Sequence, residues 1–188
     1  MVVANRRAVL GAAAAGVGCW LMGARAEASV VRGLSLEELS RTSDRILVGR
    51  ALDGFSHWEK VGGRKRIVTD TRVRVEDVLA KGEPSDAEIL VRTLGGSVGD
   101  LSALVHGEAL LRNDERCVLF LSEREQVHRV IGMAQGHYPV LPDVERIERL
   151  YRSPRNLELR GGQNLAAQRL IGQKVSAARV LIQEALKR

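Results

Sequence analysis

The sequence predicts a mainly β domain, a small closed barrel or sandwich, with a short helix before it and an amphipathic helix after it. Three observations predict this. Residues 66–79 alternate, with Ile67, Thr69, Thr71, Val73 and Val75 on one face and Asp70, Arg72, Arg74 and Glu76 on the other. Short β-prone runs recur at similar spacing up to residue 141, divided by turn clusters. Beyond residue 163 the apolar period changes, and Ala167, Ile171, Val175, Ala178, Ile182 and Ala185 fall at three- and four-residue spacing.

The elements follow in order. Ser35 can cap a short helix running to about Thr42, with Glu38 reaching back and Leu34 packing on Leu39. Residues 46–52 form the first predicted strand. Gly62-Gly63 supplies the positive φ values of a hairpin turn, and the alternating run is the return strand. Residues 82–86 are a dense turn cluster, and residues 88–94 a third strand ended by Gly95-Gly96. Further strands are predicted at 103–111, 116–122, 126–133 and 137–141. The domain therefore spans 34–141. A linker at 142–162 follows, with one or two helical turns at 143–150, and the amphipathic helix occupies 163–188. Its stripe predicts packing on the domain, with a partner helix as the alternative.

Residues 1–26 have the three parts of a secretory signal. Asn5-Arg6-Arg7-Ala8-Val9-Leu10 resembles a twin-arginine export motif, residues 8–23 are apolar but short for a membrane span, and Ala24-Arg25-Ala26 fits a cleavage site. Cleavage predicts a periplasmic or secreted product with no stable membrane span. An uncleaved signal, or lipidation of Cys19 in Val17-Gly18-Cys19, would anchor it instead. Removing the signal takes 29 basic residues down to 26 against 23 acidic ones, a net charge of +3, which argues against a dedicated nucleic-acid binder. Cys117 is then the only thiol. It sits in the apolar run Cys117-Val118-Leu119-Phe120-Leu121, where it reads as a small buried hydrophobe rather than a disulfide partner.

Three segments carry a family resemblance. Residues 42–50 look like the opening strand of netrin-like and tissue-inhibitor-of-metalloproteinases domains, Val73-Arg74-Val75-Glu76-Asp77-Val78-Leu79-Ala80-Lys81-Gly82 is similar to their strand ending in a Val-Leu-Lys-Gly turn, and residues 116–121 are like the strand before their last hairpin. The resemblance covers residues 42–140 and implies an OB-like (netrin-like) β-barrel. In the inhibitors of that family an N-terminal cysteine binds the enzyme's zinc. A chain starting at Glu27 or Ser29 lacks it, so that mechanism does not carry over.

Gly95-Gly96-Ser97-Val98-Gly99 satisfies the Gly-x-Ser-x-Gly pattern of a nucleophile elbow, with Asp114 and then His128 or His137 following in Ser, Asp, His order. The elbow needs a long helix after Ser97 and alternating βα units around it. The following sequence offers neither, and a glycine-rich β-turn is the plainer reading. His106-x-Glu108 is the closest pair of metal-ligand types, too sparse for a zinc site. No cofactor motif is present, and the segment lacks the Gly-Lys-Ser/Thr end of a P-loop.

The hairpin at 55–66 holds the binding candidates: Phe55, His57, Trp58, Arg64, Lys65 and Arg66. Trp58 is suited to anchoring a partner or to covering the barrel end. Arg64-Lys65-Arg66, near Arg72 and Arg74, makes a basic hairpin suited to an anionic polymer or membrane surface, though Glu59, Asp70 and Glu76 dilute it. The leading expectation is an exported, non-enzymatic binding module for a protein or cell-envelope component. The alternatives are a small serine hydrolase using Ser97, and an inhibitor or chaperone of an exported metallopeptidase.

Overall fold

The computed structural model describes residues 31–82, 87–124, 126–154, 159–160 and 165–188. The signal residues Arg6, Arg7, Ala24 and Ala26, together with Cys19 and positions 83–86 of the turn cluster, lie outside the described residues. The chain opens with β1 (Val31–Arg32) and helix α1 (Leu36–Thr42). Ser35 caps α1, its Oγ accepting the Glu38 N–H at 3.1 Å. The helix ends where Ser43 donates its hydroxyl to the Leu39 carbonyl at 2.7 Å. Leu36 and Leu39 are fully buried on the inner face of α1.

Two 17-residue strands, β2 (Arg45–Val61) and β3 (Arg64–Ala80), form a long hairpin. Gly62 and Gly63 join them in a two-residue turn with φ of 58° and 78°, the left-handed backbone that such a turn demands and glycine adopts without strain. The sequence places the end of the first strand at residue 52. The strand instead runs on to Val61, because a shift of register between Ala51 and Gly54 absorbs Leu52 and Asp53 as a bulge.

Next come β4 (Glu88–Leu94), the small hairpin β5 (Gly96–Val98) and β6 (Leu101–Ala103), then β7 (Arg116–Arg124), β8 (Val127–Val130), β9 (His137–Pro142) and β10 (Glu148–Leu150). β2 pairs with β3 and β7, β3 with β4, and β8 with β7. A parallel pairing of β8 with β4 closes this five-stranded sheet into a partial ring. β9 joins β7 beside β8, and β10 extends the sheet. The result is mainly β and barrel-like, with a short helix near its start and helical structure at its end, the class the sequence predicts.

Two cores explain the apolar pattern. Inside the ring lie Leu47, Val73, Ile89, Val91, Cys117, Leu119, Leu121 and Val130. On the outer face of β2, β7 and β9, Ile46, Val48, Val118, Phe120, Tyr138 and Val140 meet the helices. β7 is thus covered on both sides, so Cys117 through Leu121 run apolar without alternation and are all fully buried. Each large aliphatic side chain buried in this way contributes about 1.5–3 kcal/mol.

Three local expectations are corrected. Residues 104–111 form no strand: Ala109 is buried in the inner core and Leu111 packs against it. Residues 143–150 form no helical turn. The Asp143 carboxylate accepts the Glu145 and Ile147 N–H groups at 2.9 Å and pairs with Arg149 at 2.6 Å, making a side-chain-held turn that leads into β10. The final helix is two helices, α2 (Ala166–Leu170) and α3 (Val175–Lys187), after the short β11 (Leu159–Arg160), which pairs with β1. Gly172, at φ 80°, breaks them; its N–H donates to the Leu150 carbonyl, and the Leu150 N–H donates to the Gln173 carbonyl. The helical stripe nevertheless packs on this chain's own barrel: Ala178, Ile182 and Ala185 are fully buried, and Arg179 reaches the Val78 carbonyl on β3.

Candidate functional site

The outer half of the β2–β3 hairpin extends past the strands that close the ring. β7 pairs only with Arg45 through Arg50 of β2, and β4 only with Val68 through Arg74 of β3. The register opposes Phe55 to Asp70, His57 to Val68, Trp58 to Ile67, Glu59 to Arg66 and Lys60 to Lys65. Residues directly opposite share a face. The six binding candidates therefore divide: Phe55, His57, Arg64 and Arg66 belong to one face, Trp58 and Lys65 to the other.

The first face carries a ladder of charge pairs on the barrel side of Arg64 and Arg66. The His57 Nε2 lies 3.6 Å from Glu59 and 3.9 Å from Asp70. Asp70 takes a two-pronged pair from Arg92 on β4 at 2.6 and 2.7 Å, and Arg92 lies 3.6 Å from Glu59. Phe55, 71% exposed, stacks on the His57 ring with centroids 5.8 Å apart. Nearer the barrel, Asp53 and Arg72 pair at 2.6 Å, and the Arg72 guanidinium holds the Asp53 carboxyl below its usual value. Arg74 lies 4.0 Å from Glu88.

The second face is of a different kind. Trp58, 41% exposed, has the Lys65 Nζ 5.2 Å from its ring centroid. It stands over a cleft of about 330 Å³ whose apolar wall is Ile67, Leu94 and Leu101. A neighbouring cavity of about 300 Å³ opens at the ring's end and is edged by hydroxyls from Thr69, Thr71, Thr93, Ser97 and Ser102. Between the two sits the β5–β6 hairpin.

That hairpin accounts for the Gly-x-Ser-x-Gly pattern. At Gly95 a Cβ would fall 2.7 Å from the Ala103 carbonyl oxygen; at Gly96 it would fall 2.3 Å from both the Ser56 and Thr69 hydroxyl oxygens. Those hydroxyls hydrogen-bond to each other at 2.9 Å, and Thr69 donates to the Gly95 carbonyl at 2.8 Å. The glycines thus permit close approach of backbone to the long hairpin. Ser97 lies in β5, its Oγ 2.8 Å from the Ser102 Oγ, and a turn at Gly99 and Asp100 follows it where an elbow would have a helix. Asp114 is held in a left-handed turn by its N–H to the Ala51 carbonyl.

Among the described residues, neither His128 nor His137 hydrogen-bonds to Ser97. His137 is fully buried elsewhere, its Nδ1 3.0 Å from the Ser153 Oγ and its Nε2 3.2 Å from the Glu115 carboxylate. Ser153 is itself 2% exposed, so this Glu, His, Ser cluster is closed to solvent. Glu108 is also buried, and burial pushes its carboxyl above the usual value against the opposing pull of the Leu94 N–H, the Arg129 charge and the Ala109 N–H. Among the described residues, no group of three His, Cys, Asp or Glu is placed to hold a metal ion.

Sequence reasoning missed Lys60, Leu101 and the Asp70–Arg92 pair. Lys60 was within reach, since a two-residue turn at Gly62-Gly63 dictates that residues 60 and 65 face each other. The class these features define is a small, partly closed β-barrel with one helix-covered face and one protruding hairpin. No family model, no curated protein and no solved structure matches this chain. Among the described residues, no helix is long and apolar enough to cross a membrane.

Proposed function

We propose that this protein is a non-enzymatic binding module of the cell envelope, and that the outer β2–β3 hairpin with the β5–β6 hairpin beside it forms its contact surface. One observation carries the reading. The helices cover one face of the barrel, whereas the protruding hairpin exposes Phe55, Trp58 and the cations Lys60, Arg64, Lys65 and Arg66, none of which pairs with a carboxylate among the described residues. Exposed aromatic and arginine side chains are the types enriched at binding surfaces. Export on a twin-arginine-type signal is part of the proposal, supported by Arg6, Arg7 and the Ala24-Arg25-Ala26 site. The netrin-like resemblance is compatible with the ring of β2, β3, β4, β8 and β7.

The test is retention of the full chain on a washed envelope fraction, compared with a variant carrying Trp58→Ala, Lys65→Gln and Arg66→Gln. Retention at moderate salt that drops at least tenfold in the variant supports the proposal. Equal retention of the two proteins, or none of either, rejects it. Replacing Arg6 and Arg7 by Lys tests the export route: the protein should then stay in the cytoplasm, and unchanged export would remove that part.

A further inference from the structure

The cleft under Trp58 carries a charge imbalance that nothing around it corrects. Lys60 and Lys65 are direct cross-strand partners. Counting from the two-residue turn, theirs is a non-hydrogen-bonded pair, in which Cβ atoms approach to roughly 4.5–5.5 Å. The same parity puts the Ile67 carbonyl on the side away from β2, where it accepts the Gly95 N–H at 2.9 Å. Like charges placed directly opposite each other weaken a sheet. Among the described residues no carboxylate pairs with either lysine. Glu59 belongs to the other face, with His57 and Arg92, and Asp100, beside Leu101 in the adjacent turn, pairs with neither. The Lys65 ammonium rests instead on the Trp58 ring. Lys65 and Arg66 line the cleft with Trp58, Ile67, Leu94 and Leu101, and no Asp or Glu does; Lys60 stands across from Lys65 on the same face of the hairpin.

We propose that this cleft binds a small amphiphilic anion, its carboxylate or phosphate bridging Lys60 and Lys65 and its apolar body lying under Trp58 against Ile67, Leu94 and Leu101. The inference rests on the reading of the hairpin as a binding surface and narrows it. Two lysines held close together, with no internal counter-ion, offer an anion a site where its arrival relieves a repulsion. The apolar wall sets the rest of the ligand. A volume of about 330 Å³ suits one chain segment or one aryl group rather than a whole two-chain lipid.

The experiment titrates the full chain with dodecanoate and with dodecyl phosphate below their micelle concentrations, using dodecylammonium as the charge control, by calorimetry and by NMR of the Trp58 indole and Ile67 methyl groups. Both anions should bind and shift those signals, and the cation should bind at least tenfold more weakly. A Lys60→Gln, Lys65→Gln variant should lose at least tenfold in anion affinity with a melting temperature unchanged or raised, and Arg112→Gln should change neither. Equal binding of anion and cation, or anion binding that survives the double substitution, overturns the proposal. Phosphatidylglycerol vesicles separate the sources of the anion. Lysine-dependent binding of free dodecanoate without vesicle binding supports a soluble ligand, lysine-dependent binding of both supports an anion offered by a membrane, and binding of vesicles alone overturns the cleft proposal. If no arm shows binding while envelope retention still depends on Trp58, the cleft proposal fails and the hairpin reading stands.

Discussion

Gly96 lies so close to Thr69 that a Cβ on it would fall 2.3 Å from the Thr69 hydroxyl oxygen, and its φ of 125° is one that L side chains rarely adopt. Crowding and backbone strain therefore act together at the contact between the β5–β6 hairpin and the long hairpin. Gly96→Ala should cost about 2–3 kcal/mol, seen as a lower urea midpoint with an unchanged denaturant slope. Ser97→Ala should cost less than about 1 kcal/mol, because the hydroxyl's partner Ser102 is exposed. A larger loss at Ser97 than at Gly96 would contradict this account of the glycine pattern.

Gly172 separates α2 from α3 at φ 80°, with open space where a Cβ would be. Only the backbone conformation opposes a side chain there. Gly172→Ala should cost about 1–2 kcal/mol, the left-handed penalty, with no change in fold. Gly172→Asn should cost less, since Asn tolerates that conformation. Thermal melts of the two variants check the order.

Cys117 is fully buried in the barrel interior, and burial pushes its thiol far above the usual value. It should resist alkylation in the native protein and react only through unfolding, so peptide-mapped labelling at Cys117 should rise in step with urea unfolding. Cys117→Ser, which puts an unpartnered hydroxyl in an apolar core, should cost about 1–3 kcal/mol. Cys117→Ala should be the milder change.

Glu108 gives the pH dependence a definite sign. Its folded carboxyl titrates above its unfolded value, so over the interval from the ordinary glutamate value up to the folded one the native state holds more protons than the unfolded state. Stability must therefore fall as pH rises through that interval. Glu108→Gln should remove this component and flatten the stability profile just above the ordinary glutamate value, measured as the urea midpoint against pH. Asp143 works the other way. Its carboxyl is held low by Arg149 and by the Ile147 N–H, so its contribution is present above the ordinary aspartate value and is lost as pH falls toward the folded one.

Much of the architecture was legible because local and tertiary signals agree. Ser35 caps where the chain must turn into α1, Gly62-Gly63 forces the hairpin, and Glu88 through Leu94 is both β-prone and bounded by turn residues. Legibility failed where tertiary context decides. Residues 53–61 leave the barrel and are exposed or half-buried throughout, so no apolar alternation marks them as strand. Ala109 and Leu111 are apolar because they pack on the inner core from a segment without strand pairing, which looks the same in sequence as a strand that pairs. Ile171 continues the helical stripe through the Gly172 break, yet it is 38% exposed. At the candidate site the hairpin's aromatic and basic residues could be read directly. The cleft could not, since its walls Leu94 and Leu101 reach Trp58 only through the fold.

The central claim is that the outer β2–β3 hairpin and the β5–β6 hairpin beside it are the contact surface. Hydrogen–deuterium exchange of the full chain, alone and with detergent-solubilised envelope, tests it most directly. New protection confined to residues 55–66 and 96–105 is the predicted result; protection gained instead over α3 and β10, or nowhere, would contradict it.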